Sequence, residues 1–266
     1  MDGLRISMVC CGSSVGDITG NTKSALEILR KCPESDIVCF PELNITGYAM
    51  PESASYGQTL DSPEVLKLVD ASAENGNCVC FGILEDGKYI SQVLAEDGRI
   101  IGVHRKTHLG VREAKVVEPG NVLEVFRTKH ANIALQVCWE SHFPEITMTY
   151  GLKGADIVLM PHASGLTPDR RRETWNRTLP ARAYDNTVFV AACNQFGRNG
   201  VGTEFYGGAC IIDPRGNILE ESYGEECILT ADIDGKDLDR IRNSDPNNMR
   251  DHYYLDKRRP ELYFRS

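Results

Sequence analysis

The chain has 266 residues, 41% of them hydrophobic and 25% charged, with a formal net charge of −9. That length suits one large single-core domain or two small ones, and the acidic balance argues against nucleic acid or an anionic membrane as the main partner. No apolar run approaches the roughly 20 residues that span a bilayer, and the opening Met1-Asp2-Gly3-Leu4-Arg5-Ile6 lacks a secretory signal pattern, so a cytoplasmic protein is expected.

In chain order, residues 4–10 read as a first strand. Residues 19–32 follow as a helix with Ala25, Leu26, Ile28 and Leu29 on one face. The continuous apolar run 36–40 predicts a buried strand that stops at Pro41, with Glu42 directly after it. A second helix spans 62–75, with Ser62 as cap, Pro63 in the first turn and Gly76 as terminator. Strands 78–84, 89–95 and 99–104 are joined by Asp86-Gly87 and Asp97-Gly98, which predicts antiparallel hairpins. Lys106 follows at once, and 107–121 has no clear period and reads as a long loop. Strands 123–127 and 132–137 lead into Cys138, after which a turn enters a helix ending near Leu152.

A strand at 156–160 and a helix at 169–185 come next, the latter with Trp175, Leu179 and Ala183 on one face and Pro180 as an expected kink. Strands 187–193, 208–213 and 227–233 close the regular part, with Asp213-Pro214-Arg215-Gly216 as a turn. From Gly235 the composition turns polar but keeps Tyr253, Tyr254, Leu255, Leu262, Tyr263 and Phe264, so 235–266 reads as an arm that packs on this subunit or a neighbour. The strand–helix–strand rhythm of both halves suggests two sheets, each covered by helices on one side. The ten cysteines form no C-x-x-C pair, so most read as small hydrophobes in a reducing compartment.

Glu42, Lys106 and Cys138 share one structural address, since each follows an apolar strand. If those strands are neighbours in one sheet, a carboxylate, an ammonium and a thiol meet in one cleft. A carboxylate can take the thiol proton. An ammonium favours both a thiolate and the oxyanion of a tetrahedral intermediate, and the thiolate can attack a carbonyl to leave an acyl-enzyme. Taken singly, each residue has a plainer reading: a solvated glutamate at a strand end, a polar turn around Lys106, a packed cysteine. His104 and His108 could suggest metal ligands, but no further ligand motif accompanies them.

The stretches that carry these residues resemble the nitrilase superfamily of carbon–nitrogen hydrolases. The resemblance lies in Phe40-Pro41-Glu42-Leu43 with Thr46-Gly47-Tyr48, in His104-Arg105-Lys106-Thr107-His108-Leu109, in Cys138-Trp139-Glu140 with Phe143-Pro144-Glu145, and in Ala181-Arg182-Ala183-Tyr184-Asp185-Asn186. It runs from the first strand to Arg259-Pro260-Glu261-Leu262-Tyr263, so 1–266 is expected to form one domain of α/β class, a four-layer α-β-β-α sandwich. The resemblance implies Glu42 as general base, Lys106 as oxyanion stabiliser and Cys138 as nucleophile. It also implies the backbone N–H of Trp139 in the oxyanion hole and Glu113, in preference to Glu118, as a second glutamate. Tyr48, His142 and His162 become candidates for lining the substrate pocket. Helix residues Arg170, Arg171 and Arg172 read as a solvated face or an anion grip.

What the resemblance implies for function is hydrolysis of a non-peptide C–N bond in a small linear amide, without metal or organic cofactor. It also implies homodimers or larger homo-oligomers, with the C-terminal arm at the subunit interface. A carbamoyl compound or a nitrile is the alternative substrate, acyl transfer the alternative reaction, and a catalytically silent binding protein the alternative outside enzymes. Two positions depart from the amidase-like pattern: Glu140 stands where many members have aspartate, and His142 where many have arginine. N-carbamoyl amino acid hydrolases often grip a carboxylate with arginines just after the cysteine, where Ser141 and His142 stand here.

Overall fold

The computed structural model describes residues 3–49, 54–244, 247–248 and 252–263. Its first half contains β1 (Leu4–Cys10), α1 (Ile18–Leu29), β2 (Ile37–Cys39), α2 (Pro63–Asn75), β3 (Cys78–Glu85), β4 (Tyr89–Glu96) and β5 (Arg99–Arg105). Next come β6 (Val125–Arg127), β7 (Asn132–Leu135), α3 (Pro144–Leu152), β8 (Ile157–His162), α4 (Pro168–Asn186) and β9 (Phe189–Asn194). The chain ends through β10 (Phe196–Arg198), β11 (Glu204–Tyr206), β12 (Ala209–Ile212), β13 (Ile218–Ser222), β14 (Cys227–Ile233) and α5 (Lys236–Arg242). Two six-stranded sheets result, in the orders β14-β1-β2-β3-β4-β5 and β13-β12-β9-β8-β7-β6.

Period-two alternation sorts the apolar residues into layers. Ile6, Met8, Ile37, Cys39, Cys78 and Cys80 point from the first sheet into the same core as Ile133, Leu135, Ile157, Leu159 and Ala191 of the second. The intervening residues face outward: Val9, Val38, Val79 and Phe81 pack beneath α1 and α2. Ala134, Val158, Met160 and Val190 pack beneath α3 and α4, against Ile146, Trp175 and Leu179. Both faces of each sheet are therefore covered, which is why the central strands read as unbroken apolar runs. The architecture is the α-β-β-α sandwich.

Of the signals expected around α2, the Ser62 cap does not form, since its hydroxyl turns back to donate to the Thr59 carbonyl at 2.9 Å, while the other two hold. Pro63 opens α2 and Gly76 ends it in the left-handed conformation at φ 71°. Other elements were not visible beforehand. β13, the β10–β11 hairpin and α5 are short or polar, and α4 runs through Pro180 without interruption. The described part of the C-terminal segment packs on its own chain. Leu238 enters the inter-sheet core, and Arg242 donates to Asp156 at 2.6 Å and to the Thr187 carbonyl at 3.1 Å. Phe264 lies outside the described residues. Among those described, no helix is long and apolar enough to cross a membrane.

Candidate active site

The strands bearing the three predicted residues are not neighbours in one sheet. Glu42 follows β2 and Lys106 follows β5, with β3 and β4 between them, while Cys138 follows β7 in the other sheet. The cleft forms across the sandwich. Strand ends from both sheets open at the same edge, and a strand-end position does not reveal which sheet the strand joins.

There the side chains converge. Lys106 Nζ donates to Glu42 Oε1 and to Glu113 Oε1, each at 2.7 Å. Glu113 also accepts from the Tyr48 hydroxyl at 2.9 Å and from the Gly110 N–H at 2.6 Å. The second oxygen of Glu42 accepts from the Ala163 N–H at 2.9 Å, and the neighbouring Cys138 thiol helps to hold its carboxyl down. Lys106, Glu42 and Glu113 are all almost completely buried. Burial of one ammonium with two carboxylates needs this many hydrogen bonds to offset desolvation.

Electrostatics divide the protons. Burial raises the Glu42 carboxyl, and despite the opposing pull of Lys106 it reaches about 7. Burial, reinforced by Glu42, pushes the Cys138 thiol up to about 12. Burial alone would lower Lys106, but Glu42, Cys138 and Glu113 together outweigh it and hold the ammonium above its ordinary value. At neutral pH the site therefore combines a thiol, a charged lysine and a carboxyl group at the midpoint of its titration.

Local backbone shape fixes these positions. Cys138 has φ 48° and Leu43, beside Glu42, has φ 52°. Both lie in the left-handed region, which costs a branched or bulky residue roughly 1–3 kcal/mol. The Leu43 turn is accommodated by Gly82, where a Cβ would lie 2.3 Å from the Leu43 nitrogen. Cys138 begins a 3-10 turn, Cys138–His142, which precedes α3. Its Glu140 is wholly buried and accepts from the Val137 N–H at 2.6 Å, the Thr107 N–H at 2.7 Å and the Thr107 hydroxyl at 2.6 Å. It also pairs with His104 at 2.8 Å. Burial opposes its charge, yet His104 and these donors hold the carboxyl down to about 2. Glu140 thus ties the residue after Lys106 to the residue before Cys138. His104 is occupied here, and the described residues contain no cluster of three or more His, Cys, Asp or Glu side chains that could hold a metal.

A cavity of about 530 Å³ lies over Cys138. Tyr48, Glu113 and Trp139 line it, with Val111, Val201 and Phe205 supplying apolar wall. Glu113 and Arg112 are its charged lining residues among those described. His142 and His162 are not among the lining residues. His142 lies beside Trp139 with ring centroids 5.0 Å apart, and burial lowers its imidazole. His162 is buried against Trp175, with Nδ1 2.8 Å from the Met160 carbonyl. In the arginine run, Arg172 pairs with Glu221 at the surface. Arg171 instead turns inward, stacks on Trp175 and donates to the Ser164 carbonyl at 3.3 Å.

Some contributors escaped the sequence reading. Gln195 donates to the Glu42 carbonyl at 2.8 Å, and Asn194 accepts from the Ser164 N–H at 2.9 Å. Both sit at the end of an apolar strand, the same address that singled out Glu42, so that signal was present. Nothing local marked Thr203 or Phe205, which reach the cavity from the second strand of a small hairpin and the turn before it.

A family model described as carbon-nitrogen hydrolase matches residues 5–243. An omega-amidase of Mus musculus is 27% identical over 91% of this chain and 91% of its own length. An N-carbamoylputrescine amidase of Solanum tuberosum is 30% identical over 77% of this chain and 73% of its own. Among solved structures, a CN-hydrolase superfamily protein of Xanthomonas campestris with an arsenic adduct in its active site superimposes with a TM-score of 0.81, at 26% identity over 91% of this chain and 96% of that one. An amidase of Nesterenkonia, with an acetamide moiety covalently added at its active-site cysteine, gives the same TM-score of 0.81 at 24% identity, covering 97% of this chain and 95% of that one.

Proposed function

The chain belongs to the carbon–nitrogen hydrolase family and is an amidase-type hydrolase; from that premise we propose that it cleaves a small linear amide through an acyl-enzyme on Cys138. The observation that carries this reading is the convergence of Glu42 and Glu113 on the Lys106 ammonium beside Cys138, whose thiol lines the cavity and feels all three charges.

In this scheme the Glu42 carboxylate takes the proton of Cys138 as the sulfur attacks the amide carbon. The carbonyl π electrons move to oxygen, where the Lys106 ammonium and the Trp139 N–H stabilise the negative charge. Collapse breaks the C–N bond, and the leaving nitrogen takes the proton from Glu42. Water then attacks the thioester, gives its proton to Glu42, and releases the acid as the thiol regains that proton. Glu113 accepts from Lys106 throughout and keeps the ammonium charged and aimed, while Tyr48 and Gly110 hold Glu113.

The cavity supports a choice between the substrates named for the relatives. Glu113 is committed to Lys106, which leaves the exposed Arg112 as the lining charge available to a substrate. A cation at the mouth suits an amide whose far end is a carboxylate and disfavours one ending in an ammonium. We therefore place an omega-amide ahead of a carbamoylated amine. Homo-oligomer formation over the C-terminal arm is part of the same reading, since Leu262 and Tyr263 stay exposed there.

The test is incubation of the protein and a Cys138→Ala variant with omega-amides, ureido compounds and nitriles, following ammonia, carbon dioxide and intact mass. An omega-amide should release ammonia without carbon dioxide and leave an acyl adduct that the variant lacks. Undiminished hydrolysis by the folded variant would remove the proposal.

A further inference from the structure

Cys10 and Cys227 stand apart from the other cysteines. They are direct partners across the antiparallel β1–β14 pair, which closes the first sheet at its edge. As direct cross-strand partners they carry their side chains on the same face of the sheet, and each raises or lowers the other's thiol. Cys10 is fully buried in the inter-sheet core, and Cys227 packs against that core while remaining partly accessible.

We propose that Cys10 and Cys227 form a reversible redox pair that closes to a cross-strand disulfide when the protein meets a peroxide. Directly opposed residues of an antiparallel pair have Cα atoms about 4.5 or 5.5 Å apart, depending on the type of pair. A disulfide accepts Cα separations of roughly 4.4–6.8 Å. Both pair types fall within that range, and closure has only to draw the Cβ atoms together from about 4.5–5.5 Å to the roughly 3.5–4.5 Å of a disulfide. The environment also assigns the roles. The neighbouring Cys10 thiol, against the opposing effects of burial and of Glu225 and Glu226, lowers the Cys227 thiol to about 7, whereas Cys10 is raised well above its ordinary value. Cys227 is then the accessible thiolate and Cys10 the resolving thiol, the arrangement that favours reversible oxidation.

The chemistry balances. The Cys227 thiolate attacks one peroxide oxygen and breaks the O–O bond, giving a sulfenic acid and releasing hydroxide, which leaves as water. The Cys10 sulfur then attacks the Cys227 sulfur, the S–S bond forms, and the sulfenic hydroxyl departs as a second water. Two thiols and one hydrogen peroxide become one disulfide and two waters; the sulfurs lose two electrons and the peroxide oxygens gain them. Cys39 and Cys80 are also register partners, but across a parallel pair inside the core with no exposure. Burial raises both of those thiols well above their ordinary value.

The inference does not depend on the catalytic reading. Its test is brief treatment of the reduced full-length protein with hydrogen peroxide near neutral pH, alkylation of remaining thiols, and non-reducing peptide mapping. The expected result is a linked Cys10–Cys227 peptide and a mass lower by two hydrogen atoms. Dithiothreitol should reverse both, and a Cys227→Ser variant should leave Cys10 fully alkylated after denaturation. Overturning results are the absence of the linked peptide with Cys227 oxidised only to sulfinic or sulfonic acid, or linkage of Cys10 to another cysteine. The mapping of the unmodified sequence decides the matter even if the variant fails to fold.

Discussion

Burial moves the protons of Cys138 and Glu42 in the same direction, and the pair works because their ordinary values start far apart. Cys138 at about 12 remains a thiol across the physiological range, so as the proposed nucleophile it needs a base at the moment of attack. Glu42 at about 7 supplies one only when deprotonated. As pH falls through about 7, Glu42 gains a proton and kcat/KM should drop close to tenfold per pH unit on the acid limb. A pH–rate profile checks this, and an acid limb centred near the ordinary carboxylate value of 4.5 would contradict it. The same shift has a cost in stability. The folded state holds this proton more tightly than the unfolded chain, so the Glu42 contribution weakens as pH rises from 4.5 to about 7. The residue types of the site were legible because each stood at a strand end beside a recognisable motif. The protonation states were not, because they depend on burial and on charges distant in sequence.

Among the elements, the loop from Lys106 to Gly120 shows how a segment without regular period can still be fixed. A 3-10 turn at Glu113–Lys115 brings Glu113 back onto Lys106. The Gly120 N–H bonds the Lys106 carbonyl at 2.9 Å, and a Cβ on Gly120 would lie 2.1 Å from the Arg105 carbonyl oxygen. That approach tolerates no side chain, since the obstacle is backbone. Gly120→Ala should therefore displace Lys106 and lower kcat by at least about tenfold with KM less affected, because the lysine acts on charge that develops in the transition state. Steady-state kinetics on the folded variant would show it; wild-type kcat would refute it. The sequence revealed the Pro119-Gly120 pair but not the strand it presses upon. Nor did it show the turn around Glu113, for which neither apolar period nor capping signal exists.

Glu140 joins the two halves of the molecule. Its Oε1 accepts from Thr107 at the β5 end, while its Oε2 is shared by His104, also at the β5 end, and the Val137 N–H at the β7 end. Glu140→Ala would leave these donors buried and unpaired, a defect that typically costs about 3–5 kcal/mol. Urea denaturation should show this as a lower midpoint, accompanied by loss of activity as the two sheets lose their shared anchor. The pH sign is also defined. Glu140 is held at about 2 against an ordinary 4.5, so its stabilisation is complete above about 4.5 and lost as pH falls toward 2. Acid unfolding of the wild type should carry a component that the variant lacks. At this scale the sequence identified Glu140 only as a departure from a pattern, because its partners at the β5 end, His104 and Thr107, lie more than 30 residues away.

The sequence by itself determined the layers and the chemical inventory. Alternating apolar residues specify which strand faces are buried, turn residues delimit the elements, and strand-end polar residues mark the thiol, the carboxylate and the ammonium to which the proposed reaction assigns its roles. Only the tertiary structure decided which sheet each strand joins, and so whether the active groups meet within one sheet or across two. It also decided which arginine of a run of three turns inward and that Cys10 stands opposite Cys227 across two strands. The physical reason is the range of the interactions. Periodicity and turn propensity act over a few residues and leave their mark locally. Strand pairing, desolvation and charge coupling depend on neighbours that the chain brings together only when it folds.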